Sequence, residues 1–158
     1  MINTDGSVRQ PNSRATAGGL IRNDLGKCLG AFAANLGTCT ITRAELKGVV
    51  LGLQLAWKQG HKKVILKTDS QAVFDLLSSA DQSCTRYSNL LRQFQEIRKQ
   101  NWEIHITYCY CECNKVADFL ANKGHTLSCG VHVIDIADPG LNFWVLYDSL
   151  GIAQDRLI

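Results

Sequence analysis

The 158-residue sequence predicts one α/β domain, a mixed sheet covered by helices. Three observations point there. The first third of the chain reads as β segments joined by tight turns. From Thr42 the apolar spacing switches to the helical period. Beyond Gly60, short Val/Ile/Leu runs alternate with amphipathic helical stretches, the pattern of parallel strands with crossovers.

The opening residues 1–8 are too polar to assign by pattern, and Asp5-Gly6-Ser7 marks a strand end or turn. Ala15 to Arg22 reads as a strand whose Gly18-Gly19 pair lets another backbone come close. Asn23-Asp24-Leu25-Gly26 is a hairpin turn, and Cys28 to Leu36 returns as a second strand. From Thr42 to Gln59, Leu46, Val49, Val50, Leu53 and Trp57 recur at helical spacing, and Gly60 stops the helix. Lys63 to Thr68 is a short strand, and Asp69 to Ser79 a helix. Arg86 to Gln100 gathers Tyr87, Leu90, Leu91, Phe94 and Ile97 on one helical face. Trp102 to Tyr110 alternates as a strand, and Glu112 to Thr126 is helical. Pro139-Gly140 opens a final segment rich in Leu, Phe, Trp and Tyr that reads as a docking tail.

Composition narrows the class. A hydrophobic fraction of 46% with 20% charged residues is that of a globular domain, and the net charge of +3 permits a polyanionic partner without requiring one. Seven cysteines, with Cys28, Cys39, Cys84 and Cys129 scattered singly and no CxxC pair, fit reduced thiols in a nuclear or cytoplasmic protein. There is no secretory signal pattern, and no apolar run approaches a membrane span. A monomer is expected.

Four acids carry the chemistry. Asp5, Glu45, Asp69 and Asp118 come from separate segments, and oxygen ligands converging this way suit a hard cation such as Mg²⁺ or Mn²⁺. Asp69 ends a predicted parallel strand, where ligands of open α/β sheets bind. Each acid also has an ordinary explanation. Glu45 fits a capping box with Thr42, Asp69 a helix N-cap, and Asp5 a turn before glycine. Asp118, inside Val116-Ala117-Asp118-Phe119-Leu120, gains no cap, and if buried there it needs a cation such as Lys115.

Taken together, Asn3-Thr4-Asp5-Gly6-Ser7, Ala17-Gly18-Gly19-Leu20-Ile21-Arg22, Ala44-Glu45-Leu46, Thr68-Asp69-Ser70 and Asn114-Lys115-Val116-Ala117-Asp118 resemble type 1 ribonuclease H over residues 2–125. The match is to the plant-type domain of non-LTR retrotransposon reverse transcriptases and their stand-alone relatives. The resemblance implies a five-stranded mixed sheet with helices on both faces, forming a domain over residues 1–127 with a packed tail over 128–158. It implies Mg²⁺- or Mn²⁺-dependent, two-metal hydrolysis of the RNA strand of RNA–DNA hybrids, with Asp5, Glu45, Asp69 and Asp118 as catalytic metal ligands. Gly6, Ser7, Ser70, Gln71 and Asn114 fall at substrate-groove positions, where a hybrid is read through its minor groove and phosphates.

The sequence departs from that pattern at three places. Tyr108 stands where the family commonly has a loop His, and a phenol with a pKa of about 10 is no proton shuttle near neutrality. Cys111 replaces an Arg. With Cys109 and Cys113 it alternates as on a strand face, so a thiol-based soft-metal or redox site is a further expectation. Four residues precede Asp5, fewer than the family's first strand provides, which predicts a weakened central strand if the chain is a truncated product. These departures support a rival reading: a decayed or domesticated module that binds nucleic acid or a protein partner without cutting.

Overall fold

The computed structural model describes residues 1–79 and 86–151. Cys84 and residues 152–158 of the tail lie outside the described residues. Strands β1 (Ile2–Arg9), β2 (Arg14–Arg22) and β3 (Cys28–Thr38) form an antiparallel meander. Helix α1 (Ile41–Lys58) crosses to β4 (Lys63–Thr68), which lies parallel to β1. Helices α2 (Gln71–Ser78) and α3 (Ser88–Arg98) lead to β5 (Glu103–Tyr108), parallel to β4. A 3-10 turn at Cys111–Cys113 enters α4 (Lys115–Gly124), followed by β6 (Gly130–Ile134) and α5 (Pro139–Ser149).

The sheet order is β5-β4-β1-β2-β3-β6, six strands rather than the five expected. The additional strand pairs antiparallel with Ala31–Asn35 of β3. Its pattern hid it: Val131 and Val133 face solvent, and only Ile134 is buried.

Beside a small cluster of Phe32, Ala34 and Leu51, the core forms two larger ones. In one, Leu46, Val49 and Leu53 of α1, Val73 and Leu77 of α2, and Leu90 and Phe94 of α3 pack with Ile2, Leu66 and Ile104 of the sheet. In the other, Val116, Ala117 and Leu120 of α4 and Leu141 of α5 pack with Leu20, Ala31 and Ala33. Close approach between α4 and β2 depends on Gly18, where a Cβ would stand 2.3 Å from the Ala121 amide nitrogen. Arg22, buried at the end of β2, pairs with Asp148 of α5 and donates to Asn3 Oδ1 at 3.1 Å, tying that helix to the central strand.

β1 is the main correction to the local reading. Asp5 lies mid-strand, opposite Gly18, with the ladder to β2 running from Ile2 through Arg9. The polar Asn3 and Thr4 are as buried as their apolar neighbours. They stay in the core because Asn114, ahead of α4, clamps them. Its side chain accepts from Asn3 Nδ2 at 3.1 Å and donates to the Thr4 carbonyl at 2.9 Å.

Candidate metal centre

The site opens where the central parallel pair ends. β1 and β4 are paired only at Ile2–Leu66 and Asn3–Lys67, so the following residues of each strand are free of that ladder. At this carboxyl end, Asp5 of β1, Glu45 of α1 and Asp69 after β4 bring carboxylate oxygens within 4.8 Å of one another. Asp118, in the first turn of α4, lines the same cavity of about 400 Å³ with Gly6, Ser70, Cys111 and Lys115.

Each ordinary explanation of the acids meets a specific obstacle. Thr40, not Thr42, caps α1 and accepts from Arg43 N, so Glu45 sits too far along the helix for a capping box. It is 7% exposed and directed towards the sheet. Ser70, not Asp69, caps α2 by accepting from Val73 N. Asp5 is strand rather than turn. With caps and turns supplied by other residues, these three carboxylates are left to face each other.

Asp118 differs from expectation. It is exposed, not buried, and no Lys or Arg forms an ion pair with it among the described residues. The helix begins at Lys115, so Asp118 lies near its positive end, where a carboxylate is favoured. Asn122 Nδ2 donates to its side chain at 3.2 Å.

Burial and mutual repulsion both weigh on these carboxylates. Burial, then the Asp69 charge, pushes the Asp5 carboxyl up to about 7. Burial, then the Asp5 charge, pushes Glu45 up to about 10. Glu45 Oε2 is buried without a hydrogen-bond partner. An acceptor in that condition is costly, and either a proton or a cation resolves it. An all-oxygen donor set with one orphaned carboxylate oxygen fits a hard divalent ion.

The remaining expected residues separate into two groups. Gly6 and Ser70 border the cavity. Gly6 has no room for a side chain, since a Cβ would stand 2.8 Å from the Glu45 nitrogen. Ser7 instead faces α4, with its Oγ 3.0 Å from His125 Nε2. Gln71 is exposed and bonds Asp75 on its own helix. Asn114 is buried and its amide is spent on β1. Tyr108, at the end of β5, packs edge-on to Phe74 and Tyr110 and is not among the residues lining the cavity. The thiols do not alternate along a strand. Cys111–Cys113 is a 3-10 turn, and only Cys111 of the three reaches the cavity. Burial, then the neighbouring Asp69 charge, pushes its thiol up. Cys111 and Lys115 were thus placed at the site by the turn, which strand-like alternation had concealed.

A family model described as reverse transcriptase-like matches residues 3–124. The chain belongs to the reverse transcriptase-like family. Its fold is RNase H-like, as the two-sided mixed sheet already indicates. A protein of Arabidopsis thaliana, provisionally named a ribonuclease H, is 33% identical over 157 residues; the match spans 99% of this chain and 25% of the relative. The chain therefore covers about a quarter of the curated relative's length. The N-terminal RNase H domain of a Mycobacterium tuberculosis protein superposes with a TM-score of 0.73 at 25% identity, over 79% of this chain and 91% of that one. LC11 RNase H1, solved in complex with an RNA/DNA hybrid, gives a TM-score of 0.71 at 20% identity, over 80% of this chain and 98% of its own.

Proposed function

We propose that this domain hydrolyses the RNA strand of RNA–DNA hybrids with Mg²⁺ or Mn²⁺ as cofactor, through a two-metal mechanism. One observation supports this above others: Asp5, Glu45 and Asp69 meet from three elements around an unpartnered Glu45 oxygen, with Asp118 on the same cavity. The divalent ions, when bound, supply an activated water and stabilise the leaving 3′ oxygen. The chain's own residues do the rest. Glu45 and Asp5 would hold the ions from the sheet side. Asp69 and Asp118 would hold them from the solvent side. Gly6 and Ser70 border the path of the strand, and Asn114 positions β1 from behind.

Family membership and the ribonuclease H naming of the Arabidopsis relative support the reaction class. LC11 RNase H1, with its bound hybrid, shares the fold and supplies a docking frame by analogy. We assign catalysis to residues 1–127 and a supporting role to the tail, whose Asp148 holds Arg22. The rival reading, hybrid binding without cleavage, draws on Tyr108, whose ring packs with Phe74 and Tyr110 at the position of the family's loop imidazole.

A hydrolysis assay decides between them. Labelled hybrid, double-stranded RNA and double-stranded DNA are incubated with wild type and Asp5→Asn in Mg²⁺ and then Mn²⁺. Cleavage of hybrid alone, abolished in the variant, is expected. A folded wild type that binds hybrid in a salt-dependent way but leaves it intact refutes catalysis and establishes the rival.

A further inference from the structure

Asp118 is the one exposed member of the four acids, and its side-chain partner lies along its own helix. Asn122, one turn on, donates from Nδ2 to Asp118 Oδ1 at 3.2 Å and to the Asp118 carbonyl at 2.9 Å. An amide can be turned either way, and with its oxygen towards Asp118 two acceptors would face each other. Ser7 of β1 decides the orientation: its Oγ donates to Asn122 Oδ1 at 3.4 Å, the longest link of the chain. His125 in turn fixes Ser7. Its Nε2 lies 3.0 Å from Ser7 Oγ and 3.2 Å from Thr16 Oγ1. The Thr16 hydroxyl donates to the Ala121 carbonyl at 2.6 Å, and that of Ser7 to Asn122. Each hydroxyl has one hydrogen to give, so the ring proton sits on Nε2 and is donated to them. Burial, then the Arg9 and Arg14 charges, lowers the imidazole below its ordinary value, so it acts as the neutral ring near pH 7. The helix beneath is closely seated. A Cβ on Gly124 would stand 2.8 Å from the Ala34 carbonyl oxygen and 2.9 Å from Thr16 Cβ, which sets His125 over Thr16.

We propose that Ser7, Asn122 and His125 are positioning residues, a directed chain of hydrogen bonds that fixes the Asp118 carboxylate for the divalent ion. The inference rests on the reading that the carboxylates hold metal. The chain runs one way: His125 Nε2–H to Ser7 Oγ, Ser7 O–H to Asn122 Oδ1, Asn122 Nδ2–H to Asp118. A solvated carboxylate otherwise samples its rotamers, and an ion that binds it must order them. Ordering the side chain beforehand tightens binding without adding a ligand. The three residues act through Asp118, since none of them lines the cavity. Ser7, expected in the substrate groove, is spent on this chain instead.

The test compares wild type with Asn122→Leu, His125→Phe and His125→Gln. Leu keeps the volume of Asn without its donor. Gln keeps a donor near the place of Nε2, and Phe removes it. Urea unfolding reports stability, electron paramagnetic resonance reads Mn²⁺ affinity without substrate, and hybrid cleavage gives kcat and KM against Mn²⁺ concentration. Mn²⁺ affinity should fall by about 10- to 100-fold in Asn122→Leu and about 3- to 10-fold in His125→Phe, the scale on which groups orienting a ligand affect metal binding. The rate should recover at high Mn²⁺ with the hybrid KM unchanged, and His125→Gln should bind Mn²⁺ to within about twofold of wild type. Unchanged affinity in Asn122→Leu or His125→Phe overturns the inference, as does a His125→Gln that loses as much as His125→Phe. A loss that tracks urea stability and does not recover at high Mn²⁺ is structural and overturns it too. Should Asn122→Leu fail to fold, Asn122→Ala takes its place with the same expectation. Wild type that binds Mn²⁺ and cleaves hybrid beside unaffected variants sinks this inference alone. Wild type that binds no Mn²⁺ sinks the carboxylate-metal reading, and this inference with it.

Discussion

Replacing Glu45 by Gln should stabilise the metal-free protein while removing its response to Mg²⁺. The wild-type carboxyl stays protonated at pH 7 because burial and the adjacent Asp5 charge raise it from 4.5 to about 10. In the unfolded chain it is ionised, so folding must take up a proton against a gap of about 2.5 pH units. At 1.36 kcal/mol per unit, that costs about 3 kcal/mol at pH 7. Gln is neutral and nearly isosteric, so the cost disappears; sharing of the charge with Asp5 lowers the expected gain to about 1–3 kcal/mol. The sign with pH follows from the same linkage. A carboxyl raised in the native state makes that state bind more protons than the unfolded one. Wild-type stability in chelator should therefore fall as pH rises from about 4.5, at roughly 1.4 kcal/mol per unit per proton, and flatten only above the raised values. Urea unfolding followed by tryptophan fluorescence, at several pH values from 5 to 9, reads both quantities, since Trp102 packs against the core cluster of α1 and Trp57 stands edge-on to it. Added Mg²⁺ should stabilise wild type by mass action and leave Glu45→Gln nearly unchanged. A variant that is destabilised at pH 7, or whose pH profile parallels wild type, refutes the account of strain among these carboxylates.

Other perturbations separate chemistry from scaffold. Asp118→Asn, at an exposed position, should change urea stability by less than about 0.5 kcal/mol while reducing hybrid cleavage by about 10- to 100-fold. Asn114→Ala breaks the buried clamp to Asn3 and Thr4 and should cost about 2 kcal/mol in unfolding free energy, with activity falling alongside. Gly18→Ala forces a methyl to within 2.3 Å of the Ala121 nitrogen, and a thermal melt should register a loss of about 3 kcal/mol.

The helical half of the fold was legible because packing there follows a simple rule. Leu46, Val49, Val50 and Leu53 face the sheet at helical spacing, and all are buried. β6 was not legible because its valines point outward and its pairing with β3, rather than burial, defines it. The helix containing Asp118 starts at Lys115 instead of Glu112, since Cys111–Cys113 turns as a 3-10 segment whose hydrogen bonds leave no trace in hydropathy. Caps were displaced as well. Thr40 and Ser70, rather than Thr42 and Asp69, take the helix N-termini, and two plausible structural roles for the acids vanish with that shift.

β1 shows why the site and the unreadable part of the sequence coincide. Asn-Thr-Asp-Gly-Ser has the composition of a turn, yet it runs through the centre of the sheet. Local propensity loses there because Asn3 and the Thr4 backbone are bound to distant partners. Asn3 meets Asn114 and Arg22, and the Thr4 carbonyl also receives Asn114. Asp5 meets Glu45 and Asp69. Apart from Arg22 on β2, those partners lie on the segments that carry the metal-centre candidates or flank them: α1, the end of β4, and the entry to α4. A central strand so poor in apolar residues is held by its ladder to β2 and by contacts that also assemble the carboxylates, so the strand and the site depend on one another. Sequence conflict with local structure is expected where function sets the residues, and here it falls on the strand that carries Asp5.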